Sequence, residues 1–230
     1  MKYVAFIFAK GNSEGLKNKN ILELNGIPLI AHTIIQAQKC EVFDDIVVST
    51  DSVKIADIAV KYGASVPFMR PSVLSEANTP ELDCWKHAIK EYRKYKSNFE
   101  YFVSLPCTSP LRRPYDILKL LNSHQDDHDI TLCITPSSRS PYFNMVKKNE
   151  DGTINLIIKS KYNNRQEIPL TYDVTTIGYI SKTDYVLKCS HIFNGNVGAI
   201  TIDKQYCLDI DDSYDFEIAS SLMKTREEYK

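Results

Sequence analysis

The sequence predicts an α/β protein: a Rossmann-like, mostly parallel sheet with helices on both faces, from which a β-hairpin and arm make an excursion. Three observations carry this. Apolar runs of strand length alternate with amphipathic segments of helix length along most of the chain. The first run, 3–8, ends in a loop rich in glycine and lysine. From about Pro136 to Asp173 the alternation stops and the texture turns polar, with a turn signal inside it. At 230 residues there is room for one large domain with an appendage, so residues 1–136 and 174–230 are assigned to the sheet and 137–173 to the arm.

In order, strand one at 3–8 is followed by the loop Phe8 to Asn20, FAKGNSEGLKNKN. Pro28 then opens a helix to Lys39, since the N–H that proline lacks is unpaired in a first turn anyway. Asp45 to Ser49 reads as a strand, Thr50-Asp51-Ser52 as a polar loop, and Val53 to Lys61 as a helix with Ile55, Ile58 and Ala59 on one side. Val66 to Met69 reads as a third strand, closed by Arg70-Pro71. Thr79-Pro80-Glu81 reads as cap, proline and acidic first turn of a helix carrying Leu82, Trp85 and Ile89. A strand at Tyr101 to Leu105 runs into the loop Pro106 to Arg113, then a helix from Pro114 and a strand at Ile130 to Ile134. In the arm, β-like runs around Met145 and Ile157 flank the turn Asn149 to Gly152. The alternation resumes with Val174 to Ile180, a short helix near Asp184, Val197 to Ile202, an extended stretch from Tyr206 to Asp212 and a last helix through Phe216, Leu222 and Met223.

Composition narrows the function. Lys plus Arg is 28 against 29 for Asp plus Glu, a net charge of −1, so nothing suggests a nucleic-acid partner or a charged membrane surface. The six cysteines are scattered without C-x-x-C pairs, which suits reduced thiols and a cytoplasmic location. The apolar run at the N-terminus is too short for a signal or a span.

Two stretches carry chemistry. In the first loop, Gly11 and Gly15 let backbone N–H groups approach an anion closely, and Lys10, Lys17 and Lys19 supply charge. The spacing excludes both a Walker loop and a dinucleotide fingerprint. In Leu208-Asp209-Ile210-Asp211-Asp212, side chains two apart in an extended segment share a face, so Asp209 and Asp211 point together while Leu208 and Ile210 turn into the core. Two such carboxylates repel unless a cation lies between them, and Mg²⁺ is bound through one or two carboxylates plus substrate phosphates. A solvated strand end with Asp212 capping the next helix is the plainer alternative.

The set AKGNSEGLKNKN, VVSTD (Val47 to Asp51), VPFMRP (Val66 to Pro71), TSPLR (Thr108 to Arg112), Arg165-Gln166 and LDIDD, in this order, resembles the acylneuraminate cytidylyltransferases, the synthetases of CMP-sialic acid and of the related legionaminic and pseudaminic compounds. The resemblance covers nearly the whole chain. It implies transfer of CMP from CTP to the anomeric hydroxyl of a nine-carbon 2-keto sugar acid with release of pyrophosphate, Mg²⁺ as cofactor, and a homodimer whose arm reaches into the partner. Carried over position by position, Ala9, Lys10, Asn12, Ser13, Lys17, Lys19, Asn20, Arg70, Thr108 and Ser109 would serve the nucleotide. Arg165, Gln166, Asp173 and Thr175 would serve the sugar. Asp209 and Asp211 would hold the metal and, with Lys19, form the catalytic group.

The chain departs from the family pattern at several positions. Lys10 stands for the usual arginine, Glu14 for a phosphate-contacting lysine that Lys17 is placed to replace, and Pro106-Cys107 for glutamine-proline. On the sugar side, Asp173-Val174-Thr175-Thr176-Ile177 replaces Arg-x-Asn-Gly-Ala, and Tyr142 replaces a lysine. An aspartate cannot bind a carboxylate as a cation would, which points to a different nonulosonic acid, with Arg139 as a candidate replacement cation. The rival readings are a cytidylyltransferase for another acid such as Kdo or for a polyol phosphate, and a CTP-binding module that has lost catalysis.

Overall fold

The computed structural model describes residues 2–13, 15–96, 98–162 and 164–226. The elements are β1 (Tyr3–Phe8), β2 (Glu23–Leu24), β3 (Ile27–Pro28), α1 (Leu29–Gln38), β4 (Asp45–Ser49), α2 (Val53–Lys61), α3 (Glu81–Tyr95), β5 (Tyr101–Ser104) and α4 (Pro114–Ser123). They continue with β6 (Ile130–Pro136), β7 (Val146–Lys148), β8 (Ile154–Leu156), β9 (Tyr172–Lys182), α5 (Thr183–Lys188), β10 (Val197–Thr201) and α6 (Ser213–Thr225).

The main sheet has six strands in the order β10-β6-β9-β5-β1-β4. β1 is almost continuously apolar because it is covered on both faces, and it pairs in parallel with β4 on one side and β5 on the other. One core layer packs Ile30, Ile34, Ile55, Ile117 and Leu120, placing α1, α2 and α4 on one face. The opposite layer holds Trp85, Ala88, Ile89, Tyr92 and Val186, placing α3 and α5 on the other. Trp85 rests on Phe102 and Tyr179 at ring-centroid distances of 5.1 and 5.3 Å, and burying each such side chain contributes about 1.5–3 kcal/mol. The chain leaves β1 toward β4 over one face and reaches β5 over the other, so the end of β1 is a topological switch point. That crevice is where open α/β sheets bind ligands.

Five features differ from the sequence expectations. Val66 to Met69 is not a strand. Ser65 makes one parallel bridge to Val47, with its N–H on Ile46 and its carbonyl receiving Val48 N–H. The next donor toward β4 would be Pro67, which has none, so the ladder stops until Arg70 N–H reaches Thr50 O at 2.8 Å. Residues 206–212 likewise form no strand, although Ile210 is fully buried and donates its N–H to Thr108 O at 2.8 Å.

β9 runs antiparallel to both β5 and β6. The arm, unlike a helical crossover, leaves the chain at the carboxyl end of β6, and from there only the antiparallel direction re-enters the sheet. Finally, Asn25 and Gly26 both have positive φ, 54° and 83°, and join β2 to β3 as a tight hairpin that the sequence reading passed over. Thr79 does not cap α3, because its hydroxyl donates to Val73 O at 3.0 Å. The arm's own hairpin, β7 with β8, turns at Asn149–Gly152 as expected.

Candidate active site

The loop after β1 and the segment before α6, nearly two hundred residues apart in sequence, meet at the switch point. Lys19 donates to Ile210 O at 2.6 Å and lies 3.5 Å from Asp211 Oδ1. Gly15 touches the same segment so closely that a Cβ there would come 2.4 Å from Asp211 O. Asp212 accepts from Asp215 N–H at 3.0 Å and starts α6, which fixes the direction in which Asp209 and Asp211 leave the backbone. Lys19 therefore sits against Asp211, and its charge is felt by Asp209.

The loop is held from below. Gly11 N–H donates to Asp51 Oδ1 at 2.9 Å, and Asn20 Nδ2 donates to Lys10 O at 3.0 Å. Arg70 is buried, donates through Nε to Ser75 Oγ at 3.0 Å, and approaches Asp51 at 3.6 Å. Asp51 thus ties the glycine loop to Arg70, whereas Ser52 caps α2 by accepting from Ile55 N–H.

Arg112 of TSPLR was given no role. It is fully buried and donates to Pro106 O, Ile177 O and Thr33 Oγ1 at 3.2, 2.8 and 2.9 Å, which pins the loop after β5 to β9 and α1. Burial lowers its guanidinium to about 10, so it stays charged at neutral pH.

The remaining site residues divide clearly. Asn12 and Lys17 are exposed on the loop, and Ser13 is buried within it. Ala9 is buried and offers only backbone, its N–H already donated to Ser49 O. Thr108 supplies its carbonyl to Ile210, but Ser109 is fully buried with its hydroxyl 2.6 Å from that of Thr176, so it does not line the cleft. Thr175 is buried and donates to Cys133 O at 3.1 Å beside the register shift between Leu132 and Ile134, on the wall of the cavity that Asp209 also lines.

Asp173 is exposed and accepts from Ser137 Oγ at 2.6 Å. Gln166 and Arg139 line a cavity of about 290 Å³ within the arm, which shares no lining residue with the cavity at Asp209. Within one chain, then, Gln166 is not brought to the carboxylates, because the arm folds on itself beyond Pro136. Arg165 begins a single 3-10 turn beside Gln166. Glu14 lies outside the described residues.

Asp209 lies between two cavities. It lines one of about 430 Å³ together with Asp173, Thr176, Lys204 and Arg226. Its charge is felt by Glu81 and Tyr179, which line a second cavity of about 380 Å³ with Trp85 and Ile192. Burial raises the Asp209 carboxyl, and Asp211 adds to this, while the Thr108 and Thr176 hydroxyls and Lys19 oppose it. Burial also raises Glu81, whose Oε1 accepts from Trp85 Nε1 at 3.2 Å.

Oδ1 of Asp209 is buried with no hydrogen-bond partner among the described residues, and no cluster of three metal-ligating side chains exists there. A hard divalent cation fits this donor set: two carboxylates from the protein, with water and phosphate oxygens left to complete the shell. Of the six thiols five are buried, and burial pushes Cys107, beside the loop, up to about 12, which removes it as a nucleophile.

The sequence pattern of the cytidylyltransferase family matches residues 4–228. The chain belongs to that family. Among its relatives is the CMP-N,N'-diacetyllegionaminic acid synthase of Campylobacter jejuni, 38% identical over 225 residues, spanning 96% of this chain and 94% of the other. The post-translational flagellin modification protein B of Campylobacter coli is 36% identical over the same shares. The solved structure of CMP:2-keto-3-deoxy-manno-octonic acid synthetase, complexed with CTP, superposes with a TM-score of 0.73 at 17% identity, covering 97% of this chain and 99% of that one. That last likeness is one of fold, and the Rossmann-like α/β architecture of this family member agrees with it.

Proposed function

We propose that the protein transfers CMP from CTP to the anomeric hydroxyl of a nine-carbon 2-keto sugar acid. The hydroxyl oxygen bonds to the α-phosphorus, the bond from that phosphorus to the bridging oxygen breaks, the hydroxyl proton is lost, and pyrophosphate leaves. The observation that carries the reading is Lys19, which joins the glycine loop to Ile210 and Asp211 at one point of the switch crevice. A loop of N–H groups and lysines suits the triphosphate, and carboxylates beside it mark where charge must be managed during transfer. Mg²⁺ held by Asp209 and Asp211 would offset the charge that builds on the phosphate oxygens. Lys19 holds the carboxylate segment at the loop, Asp51 and Arg70 shape the loop's base, and the buried Arg112 fixes the wall formed by Thr108.

The 38% identical legionaminic acid synthase favours an acceptor of the legionaminic type within the nonulosonic acids. The arm exposes Val146, Ile154 and Leu170 at 48, 62 and 85%, an apolar surface that suits packing against a second copy and would carry Arg165 and Gln166 toward the partner's site. Among the described residues no helix is long and apolar enough to cross a membrane, and free thiols fit our placement of the enzyme in the cytoplasm.

The test is pyrophosphate release from CTP and Mg²⁺ with a panel of N-acetylneuraminic, legionaminic, pseudaminic and Kdo acids, beside Asp211→Ala. Release with one nine-carbon acid, lost in the variant, is expected. Release with Kdo alone, or CTP binding with no release, would refute the reading. Sedimentation of the same preparation gives the oligomeric state.

A further inference from the structure

We infer that Lys204 is the cation that binds the acceptor's carboxylate. The inference rests on the acceptor being a 2-keto sugar acid. In such an acid the carboxylate is bonded to the same carbon as the attacking hydroxyl. Wherever the hydroxyl is held for attack, the carboxylate lies within a few ångströms. It is thereby forced close to Asp209 and Asp211, and a third negative charge beside two carboxylates is unfavourable unless a cation faces it.

The cavity at Asp209 contains two cations, Lys204 and Arg226. Arg226 is spent elsewhere, donating to Gln205 O at 3.2 Å with its guanidinium 5.7 Å from the Tyr206 ring. Lys204 follows β10 at its carboxyl end, on the edge where the sheet binds ligands. Its ammonium meets the Ser138 hydroxyl, a neutral partner, and has no acidic partner among the described residues.

Two other cations of the same chain do not serve. Lys19 is committed to Ile210 and Asp211, and Arg139 faces the separate cavity of the arm. Asp173, which lines the same cavity as Lys204, accepts from Ser137, while Lys204 donates to Ser138. The ammonium that remains is a point charge on a flexible stem, able to meet one carboxylate oxygen without the fixed fork that an arginine would impose.

Lys204→Met and Lys204→Arg test this. Lys204 is exposed, so both variants are expected to fold, which thermal unfolding checks. Initial rates are read with the acid varied at saturating CTP, and with CTP varied. A charge-assisted hydrogen bond lost at a binding site raises KM for the acid about ten- to a hundredfold in Lys204→Met, with KM for CTP within about twofold of wild type. Lys204→Arg restores most of the loss. With the carboxamide of the same acid, wild type and Lys204→Met differ by less than about twofold. Turnover by wild type with an unchanged KM for the acid in Lys204→Met overturns the inference alone. No turnover by wild type with any nonulosonic acid overturns the acceptor reading and this inference with it.

Discussion

Replacing Gly15 by alanine should break catalysis while leaving the fold intact. A Cβ at Gly15 would lie 2.4 Å from Asp211 O and 3.5 Å from its carbonyl carbon. Both atoms are backbone, so no side chain can swing aside. An ordinary contact needs roughly one ångström more, and the loop or the carboxylate segment must withdraw by that distance. The withdrawal acts on the join made by Lys19 with Ile210 O, 2.6 Å, and Asp211, 3.5 Å. A displacement of about 1 Å between catalytic groups costs on the order of 10²-fold in rate, which is about 2.7 kcal/mol of transition-state stabilisation.

Stability should barely move. Gly15 is exposed and does not adopt a positive φ, so alanine is conformationally allowed there, and the smaller entropy of the unfolded chain returns about 0.4–1 kcal/mol. Continuous pyrophosphate release at saturating CTP measures the rate, and thermal unfolding measures stability. A Gly15→Ala enzyme within threefold of wild type in kcat/KM would refute the claim that loop and carboxylates act as one unit.

Arg112→Met should lower stability by roughly 2–4 kcal/mol in denaturant unfolding, because the buried Ile177 carbonyl, the half-buried Pro106 carbonyl and the Thr33 hydroxyl lose a donor; an unchanged midpoint would contradict this. A pH dependence follows from Asp45. Burial alone would raise its carboxyl, but hydrogen bonds from Lys96, Ser65 and Tyr92 hold it below the ordinary value. A carboxyl with a depressed folded pKa stabilises fully above the unfolded value of about 4, and the benefit is lost as pH falls through the folded one. The stability deficit of Asp45→Asn should therefore be constant above about pH 5 and narrow toward pH 3, and a deficit that widens on acidification would be inconsistent with the sign.

Much of this was legible from residue order. β1 declared itself as an apolar run ending in glycine and lysine, and Ile210 turned inward between Asp209 and Asp211 as a period of two requires. What escaped has physical reasons. Alternation of apolar and amphipathic segments does not encode strand direction, so β9 was placed without its antiparallel sense. Pro67 sat inside an apolar run, and its missing N–H was decisive only because the neighbouring strand needed that donor. The bond from Thr175 to Cys133 O lies beside a register shift between Leu132 and Ile134, which no local pattern announces. Asn25-Gly26, by contrast, was readable, since both residues tolerate positive φ and flank a hairpin. The positions of Lys204 and Glu81 beside Asp209 depend on strands and helices distant in sequence, and only the fold brings them there.

The central claim is that the sugar's own anomeric oxygen attacks the α-phosphorus of CTP. It is tested most directly by loading that hydroxyl with ¹⁸O through exchange in labelled water, then recording masses of the products of a single turnover. The account predicts labelled oxygen in the bridge of the CMP-sugar and none in pyrophosphate, with no labelled product from Asp211→Ala. Label in pyrophosphate, or an unlabelled CMP-sugar formed from labelled acid, would contradict it.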